Sequence, residues 1–356
     1  PVANNYHTTP RDPARGAARA IPGRQKMTHN AVSADSSAAD SVELSVILVA
    51  YDMAREIPRS LQSLSPTYQQ GVSAHDYEVL VIDNGSPERM DAATVEAFGS
   101  RFHYHYLENP PPSPAAALNY GASRARGEIL CFMIDGAHLL TPGVLKLALA
   151  AFRAFAEPVV LTRYFFLGPG EQNDTILQGY DQAREDALLR KIGWPEEGYR
   201  LFEIGEPLIG GVPKITWFNK MMESNCLFMR RDIFAAIGGA DERFDLPGGG
   251  FLNMDMCREA TELTGTEPVL LVGEGSFHQV HGGTTTNVTP EQRDERVAAY
   301  RRQYEAIRGR DFRAGEKDVF YLGHLPTLHS KIHLKNRPSQ PGQVSQEWKD
   351  AVSGKR

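Results

Sequence analysis

Three aspartates lie at the ends of predicted β-strands, where they could bind a cation or a polar ligand. Asp52 follows the apolar segment 44–50, Asp83 ends a second such segment, and Asp135 follows a third. In an open parallel sheet, ligands bind at the C-terminal ends of the strands. One aspartate at such a position is commonly a turn residue, but three on neighbouring strands favour a common site. The sequence therefore predicts a ligand site at this edge of the sheet.

The loop after the first predicted strand contains no glycine, because it reads Tyr51-Asp-Met-Ala-Arg-Glu56. A dinucleotide-binding domain would carry Gly-x-Gly-x-x-Gly there, and a P-loop protein would carry Gly-Lys-Ser/Thr. Neither class fits this sequence. A bound nucleoside diphosphate would therefore need another counter-charge, and a metal held by acids at the strand ends is the usual substitute.

Strands and helices alternate from residue 44 onward, which predicts an α/β fold with a mostly parallel sheet covered by helices on both faces. Thr141-Pro142 has the pattern of a helix start, with a threonine N-cap and proline at the first helical position. Thr289 starts a second helix, with Gln292 at the capping-box position. The predicted strands are 44–50, 77–83, 102–107, 129–134, 159–162, 226–229 and 268–272, and the predicted helices are 55–64, 90–98, 115–126, 142–155, 181–192, 231–237, 253–264 and 290–307.

Composition places the chain among globular proteins. It has 356 residues, 41% hydrophobic residues and a net charge of −6, which is close to globular averages. The acidic balance argues against a nucleic-acid-binding protein, and no apolar run approaches the ~20 residues of a membrane span. We expect an extended or flexible arm at 1–42, a main domain at 43–288 with an insertion at about 163–220, and a C-terminal helix and surface tail at 289–356.

The three cysteines help to indicate the cellular compartment of the protein. Cys131, Cys226 and Cys257 are far apart in apolar segments, with neither a disulfide pattern nor a zinc spacing. The first residues lack the basic and then apolar pattern of a secretory signal. These features indicate a cytoplasmic protein, free or peripheral at a membrane.

Several motifs resemble those of the family 2 glycosyltransferases, and they occur in that family's order over about residues 44–283. The resemblance implies the GT-A fold, in which the segment 163–220 is an insertion on the acceptor side and the tail is helical. The motifs are Val46-Ile-Leu-Val-Ala-Tyr-Asp52 with Ser60-Leu61-x-Ser63-Leu64, Val79-Leu-Val-Ile-Asp-Asn-Gly-Ser86, Ala117-Leu-Asn-Tyr-Gly121 through Arg126-Gly-Glu-Ile129, Gly238-Gly-Ala-Asp-Glu-Arg-Phe244, and Asn253-Met-Asp-Met-x-x-Arg258.

The family implies an inverting transfer of a sugar from a nucleoside diphosphate sugar to an acceptor hydroxyl, with uracil favoured as the base over thymine or guanine. Carried over by position, Asp83 would recognise the base beside Tyr51, and Asp255 would be the general base that deprotonates the acceptor. The nucleotide-binding residues implied in this way are Ala50, Tyr51, Asp83, Asn84, Asn119 and Asp135.

The metal motif departs from the family pattern. Asp135 matches the first acid of the family's Asp-x-Asp motif, but Gly136 and Ala137 follow, so the second acid is missing. Histidine also ligates transition ions, and some GT-A enzymes complete their metal site with a downstream histidine. The expected cofactor is a divalent metal, Mn²⁺ before Mg²⁺, bound by Asp135 and a histidine. The candidate histidines are His138, His278 and His281.

Three functions remain open from the sequence. The first is a glycosyltransferase with a carbohydrate or another hydroxyl acceptor. The second is a sugar-nucleotide-binding protein of the same fold that lost catalysis with the second acid. The third, a nucleotidyltransferase, lacks its basic glycine-rich loop after the first strand. A metal-independent enzyme would instead place Arg124 or Arg126 on the diphosphate. No nucleic acid partner is expected, and a homo-oligomer is left open.

Overall fold

The computed structural model describes residues 42–207, 217–283 and 288–325. The predicted arm, apart from Val42, and the tail beyond residue 325 lie outside the described residues. The described residues form ten strands and ten α-helices. The strands are β1 Leu44–Ala50, β2 Tyr77–Asp83, β3 Phe102–Tyr106, β4 Ile129–Met133, β5 His138–Leu140, β6 Pro158–Leu167, β7 Gly205–Pro207, β8 Leu227–Arg230, β9 Glu267–His278 and β10 Phe320–Gly323. The helices are α1 Ile57–Leu64, α2 Ala92–Glu96, α3 Ala115–Arg124, α4 Val144–Ala154, α5 Gln172–Thr175, α6 Gln182–Ile192, α7 Leu201–Ile204, α8 Arg231–Ala236, α9 Leu252–Glu262 and α10 Pro290–Arg308.

All of these strands belong to one sheet, in the order β10-β9-β6-β8-β4-β1-β2-β3. Strand β5 pairs with the end of β9, and β7 pairs with β6. Strand β8 is antiparallel to β4 and β6, whereas the other neighbours along this path are parallel. The predicted α/β class with a mostly parallel central sheet is confirmed.

Helices cover both faces of the sheet, so β1, β2 and β4 are buried along their whole lengths. One face packs against α1 and α4, which contribute Leu61 and Leu145. The other face packs against α3 and α9, which contribute Leu118 and Met256. No helix in the described ranges combines the length and the apolar composition that a bilayer crossing requires.

Strands β6 and β9 are longer than their hydrophobic patterns predict. β6 continues past Thr162 through a register shift to Leu167, and β9 continues to His278. The pattern of β6 breaks at Arg163 because this residue is charged, yet Arg163 is buried and donates to two backbone carbonyls. The extension of β9 matters for function, because it places His278 at the end of a strand.

The helix start predicted at Thr141-Pro142 is wrong, because α4 begins at Val144 with Gly143 as its N-cap. The Thr141 hydroxyl instead donates to Glu274 Oε2 at 2.5 Å. Burial raises the pKa of the Glu274 carboxyl, and a buried carboxyl is costly without hydrogen-bond donors. The local sequence predicts that the Thr141 hydroxyl caps the helix, but this hydroxyl binds Glu274 on β9 instead.

Helix α10 begins at the predicted capping box, since Thr289 Oγ1 accepts from the Gln292 N–H and Gln292 Oε1 accepts from the Thr289 N–H. Its buried Tyr300 and Tyr304 pack against Phe251, the residue that precedes α9. This packing holds α10 beside the first turn of α9, where Asp255 lies.

Candidate metal and donor site

The strand-end aspartates share one edge of the sheet, as predicted, because β1 lies between β4 and β2 and is parallel to both. Asp83 ends β2, and Asp135 lies two residues beyond β4. The end of β9 reaches the same edge because its last three residues pair with β5, which begins three residues after Asp135. Residues 143 positions apart in sequence therefore meet here.

Asp135, His278 and His281 bring three ligand atoms to one point, and we refer to them as the Asp-His-His triad. Asp135 Oδ2 lies 3.2 Å from His278 Nε2 and 3.0 Å from His281 Nε2, and the two ring nitrogens are 3.0 Å apart. Ligands bound at right angles to one ion at about 2.1 Å lie about 3.0 Å apart, whereas tetrahedral ligands lie about 3.4 Å apart. The spacing fits three adjacent ligands of an octahedral ion, with other positions left for a substrate.

Gln172 on α5 sets the tautomer of His278. Gln172 Nε2 donates to the carbonyls of His278 and Leu167, so Gln172 Oε1 faces His278 Nδ1 at 2.6 Å. Nδ1 must then carry the proton, which leaves a lone pair on Nε2 toward the triad. Such support of the far nitrogen is usual for a metal-binding histidine. No local motif marked Gln172, because its role depends on a contact 106 residues away in sequence.

Asn225, just before β8, holds the backbone of Asp135 from both sides. Asn225 Oδ1 accepts from the Asp135 N–H at 2.9 Å, and Asn225 Nδ2 donates to the Asp135 carbonyl at 2.8 Å. Asp135 Oδ1 accepts from the Ala137 N–H at 2.9 Å, which leaves Oδ2 to the triad. Sequence reasoning missed Asn225, since nothing near it in the chain signals this contact.

The missing second acid has a steric explanation. A Cβ on Gly136 would lie 2.5 Å from the Val49 carbonyl oxygen, so this position accepts only glycine. The next residue, Ala137, is fully buried within the core beside α1. A carboxylate at position 137 would point into apolar packing and not toward a ligand. In the triad, His278 at the end of β9 and His281 in the following turn stand where the family pattern has a second acid.

The turn between the two histidines is tied to two helices. The Val280 N–H donates to Glu185 Oε2 on α6 at 2.7 Å, and Gln279 Nε2 donates to the Glu56 carbonyl beside α1. Arg55 bridges the same helices through Glu185 and Asp186. Burial raises the pKa of Glu185 to about 7 against the opposing effect of Arg55. Charged and polar contacts with α6 and with the residue before α1 thus hold the turn that carries the two triad histidines.

The charges within the triad are unequal. Burial raises the pKa of Asp135, but the neighbouring His281 and His278 outweigh it and hold that pKa well below the usual range. Burial lowers the pKa of both histidines; it prevails at His278, whereas at His281 the Asp135 carboxylate outweighs it and raises the pKa. An ionised carboxylate beside two imidazoles is a suitable ligand set for a divalent transition ion.

His138, the third candidate ligand, lies beside the triad and not within it. Its ring centroid is 5.1 Å from that of His278 and 4.9 Å from that of Tyr164. Both ring nitrogens are buried, with no hydrogen-bond partner in the described part of the chain. Burial lowers its pKa well below the usual value, so the ring is neutral. Its metal role stays a prediction that no contact supports.

The predicted base-binding residues surround the ends of β1 and β2. Asp83 is 1% exposed, and its oxygens accept from the Tyr104 hydroxyl at 2.7 Å and from the Ser86 N–H at 2.8 Å. Tyr51, by contrast, is 54% exposed at the end of β1. The Ala50 carbonyl accepts from the Asn84 N–H, which joins the two strand ends. A base-binding role for these four residues stays a prediction.

Two further predicted contacts lie in structural hydrogen bonds. The Asn84 amide donates to the carbonyls of Pro111 and Ser113. Asn119 exchanges hydrogen bonds with the backbone of Ala240 and so fixes the double-glycine turn. The role of either side chain toward a nucleotide stays a prediction.

The alternative that Arg124 or Arg126 replaces a metal is wrong. The Arg126 side chain and backbone N–H both bind Glu78, the second residue of β2. This is the N-terminal end of the strands, opposite the edge that carries Asp135. Arg124 ends α3 near the same place and lines a surface cavity with Glu78. Neither guanidinium lies at the predicted phosphate site.

Asp255, predicted as the general base, lies in the first turn of α9 and is 2% exposed. Its Oδ1 accepts from Arg308 Nε at 2.8 Å, and its Oδ2 accepts from Arg308 Nη2 at 2.5 Å. Burial raises the pKa of Asp255, and the Arg308 guanidinium opposes this rise. Both oxygens of Asp255 accept from Arg308 on α10, so the general-base role of Asp255 stays a prediction that no contact supports.

The mostly parallel sheet, covered by helices on both faces, has the architecture of the GT-A fold. Residues 45–211 match the model of glycosyl transferase family 2. This part of the chain is similar to that family, and the protein is a glycosyltransferase. A search among curated proteins finds no match.

Solved structures with a similar fold include two of S. aureus TarS. One has 15% identity and a TM-score of 0.44, covering 75% of this chain and 73% of that chain. The other, in complex with UDP-GlcNAc, has 16% identity and a TM-score of 0.45, covering 74% and 67%. A mannosyltransferase from Pyrobaculum calidifontis, in complex with GDP-Man and Mn²⁺, has 16% identity and a TM-score of 0.43, covering 82% and 68%. Similarity this low does not indicate the substrate of this chain.

Proposed function

We propose that the protein is a metal-dependent glycosyltransferase that transfers a sugar from a nucleoside diphosphate sugar, UDP-linked in the first instance, to an acceptor hydroxyl with inversion. The observation that carries this proposal is the convergence of Asp135, His278 and His281 on one point at the C-terminal edge of the sheet. That edge is where an α/β sheet binds its ligands, and the family of residues 45–211 acts on glycosyl groups.

A divalent ion in the triad would neutralise the charge that develops on the leaving diphosphate. We propose Mn²⁺, because two imidazole ligands do not suit Mg²⁺, which prefers oxygen ligands. Asp135 supplies the carboxylate oxygen, and Asn225 keeps its backbone in place. Gln172 keeps the lone pair of His278 Nε2 toward the same point. These residues preorganise the site before the donor arrives, so binding requires little rearrangement.

The nucleoside half of the donor is proposed to lie over the ends of β1 and β2. The exposed ring of Tyr51 would stack on the base, and Asp83 would accept a hydrogen bond from a base N–H on a remaining lone pair. The acceptor is proposed to be a carbohydrate or another hydroxyl compound. The predicted cytoplasmic location, free or peripheral at a membrane, belongs to the same proposal.

A thermal-shift panel tests the proposal. UDP-GlcNAc, dTDP-glucose and GDP-mannose are each added with Mn²⁺, with Mg²⁺ and with EDTA. A donor at 100 times its dissociation constant should add about 2.7 kcal/mol of apparent stability, and the shift should require Mn²⁺. Release of nucleoside diphosphate then separates catalysis from binding alone. Failure of every donor to stabilise the protein in Mn²⁺ would contradict the proposal.

A further inference from the structure

Transfer to a hydroxyl needs a base with a free lone pair within hydrogen-bond reach of the attacking oxygen. Arg308 weakens Asp255 as such a base, since both of its oxygens accept from this guanidinium and the positive charge opposes uptake of a proton. A second partly buried carboxylate lies near the same helix. Glu223 is on the segment that leads into β8, where the sequence analysis placed no site residue.

Glu223 has one engaged oxygen and one available oxygen. Its Oε2 accepts from Asn253 Nδ2, in the first turn of α9, at 3.0 Å. Its Oε1 has no hydrogen bond within the described residues, and the residue is partly exposed. The asparagine fixes the orientation of the carboxylate without neutralising its charge. This differs from Asp255, where a guanidinium does both.

The segment that carries Glu223 is anchored to the triad. Ser224 exchanges hydrogen bonds with the backbone of Thr162 on β6, and Asn225 holds Asp135. Glu223 is two residues from Asn225. The segment that carries the Glu223 carboxylate is therefore tied to the sheet edge where Asp135 lies.

We propose that Glu223 is the general base of the transfer, and this inference rests on the proposed function. Glu223 Oε1 takes the proton of the acceptor hydroxyl as that oxygen forms a bond to the anomeric carbon of the sugar. The bond from the anomeric carbon to the diphosphate oxygen breaks, and the diphosphate leaves with the electron pair. The proton then passes from Glu223 to water. Burial raises the pKa of Glu223, which strengthens it as a base.

The test compares Glu223→Gln and Glu223→Ala with Glu128→Gln, an exposed carboxylate at the opposite edge of the sheet. Donor affinity is measured by calorimetry in Mn²⁺, with whichever sugar nucleotide of the panel stabilises the wild type. Donor cleavage with water as acceptor is followed by release of nucleoside diphosphate. We expect unchanged donor affinity in all three variants and cleavage slower by roughly 10²–10⁴ in the two Glu223 variants only.

Azide separates a base from a structural residue, because this anion attacks the anomeric carbon without losing a proton. In sodium azide, Glu223→Ala should again release nucleoside diphosphate and should form the glycosyl azide. The wild-type hydrolysis rate should fall at acid pH as the base is protonated, whereas the azide reaction of Glu223→Ala should not follow that profile.

Three outcomes would overturn the role of Glu223. The first is near wild-type cleavage by both variants. The second is intact donor binding without recovery in azide, and the third is loss of donor binding by both variants, which indicates a structural residue. If the wild type binds none of the three donors and releases no diphosphate in water or azide, the proposed function fails, and the role of Glu223 fails with it.

Discussion

Two buried clusters of charged residues differ in what occupies their centre. In the Asp-His-His triad, one carboxylate oxygen and two ring nitrogens lie within 3.2 Å of one another, and among the described residues no lysine or arginine binds any of these three atoms. In the second cluster, Asp255 and Asp241 also converge, but Arg308 fills the space between them with N–H donors. Both clusters lie between elements more than 50 residues apart in sequence.

The difference separates a ligand site from a structural ion pair. A carboxylate whose two oxygens both accept from one internal guanidinium forms a structural ion pair, and the pair of Asp255 and Arg308 stabilises packing between α9 and α10. In the triad, burial lowers the pKa of His278, and Asp135 raises the pKa of His281, so the Asp135 carboxylate faces no permanently charged side chain. The triad is therefore a candidate site for a divalent ion, whereas Arg308 already supplies the positive charge of its own cluster.

The largest expected effect is loss of the triad's anionic ligand. Asp135→Ala should lower donor cleavage by at least about 10³, because a metal supplies several kcal/mol of transition-state stabilisation. EDTA should produce the same loss in the wild type, and Mn²⁺ should restore activity better than Ca²⁺. The control is Asp294→Ala, which removes an exposed carboxylate on α10. Full activity in EDTA would remove the metal from the mechanism.

Breaking the second cluster should affect stability instead of chemistry. Arg308→Met leaves Asp255, 3% exposed at its side chain, without its partner, and the expected loss is about 3–5 kcal/mol in urea unfolding. The double variant Asp255→Leu/Arg308→Met should recover part of this loss, because no unpaired charge is then buried. Donor affinity of the folded single variant should equal that of the wild type. A loss of donor binding with unchanged stability would place Arg308 in the donor site.

Glu185 accepts from the turn between His278 and His281, and it combines features of the triad and of the Arg308 cluster. Arg55 binds it as Arg308 binds Asp255, but burial still raises its pKa to about 7. A carboxyl with a raised folded pKa contributes stability that is fully present below its unfolded pKa and is lost as pH rises through the folded value. Relative to Glu185→Gln, the wild type should therefore lose about 2–3 kcal/mol between pH 5 and pH 8.

Urea unfolding of both proteins at pH 5 and pH 8 measures this difference. The neighbouring Asp186 is the matched control, because its pKa is lowered. Its contribution is lost only as pH falls through acid values, so Asp186→Asn should show no relative change across the same interval. A stability difference between wild type and Glu185→Gln that does not vary from pH 5 to pH 8 would contradict the raised pKa.

The smallest effect concerns the support of one ligand. Gln172→Leu removes the acceptor of the His278 Nδ1 proton, and such a change typically costs 10–100-fold in metal affinity. Calorimetric titration of Mn²⁺ in the presence of UDP measures it. Gln172→Glu should keep part of the affinity because a carboxylate also accepts this proton, and Gln178→Leu on the exposed surface should have no effect. Equal Mn²⁺ affinity in Gln172→Leu and the wild type would show that the hydrogen bond between Gln172 and His278 does not support metal binding.

The sequence alone determined the strand and helix pattern of the sheet and the position of its ligand edge. The apolar segments of β1, β2 and β4 are read from consecutive residues, and each strand end carries its aspartate within a few positions. The capping box of α10 is equally local, because Thr289 and Gln292 are three residues apart. These features depend on neighbouring residues, so hydrophobic period and spacing predict them.

Only the tertiary structure decided which of the candidate residues meet. The pairing of β5 with β9 places His278 and His281 at Asp135 and leaves His138 beside them. The packing of α10 against α9 brings Arg308 to Asp255. The segment before β8 brings Asn225 to Asp135 and Glu223 to Asn253. Each of these contacts joins residues at least 30 positions apart except the one between the two histidines, three apart, whose turn is held by α1 and α6. No local pattern encodes such contacts, because they arise from burying sheet and helix faces against one another.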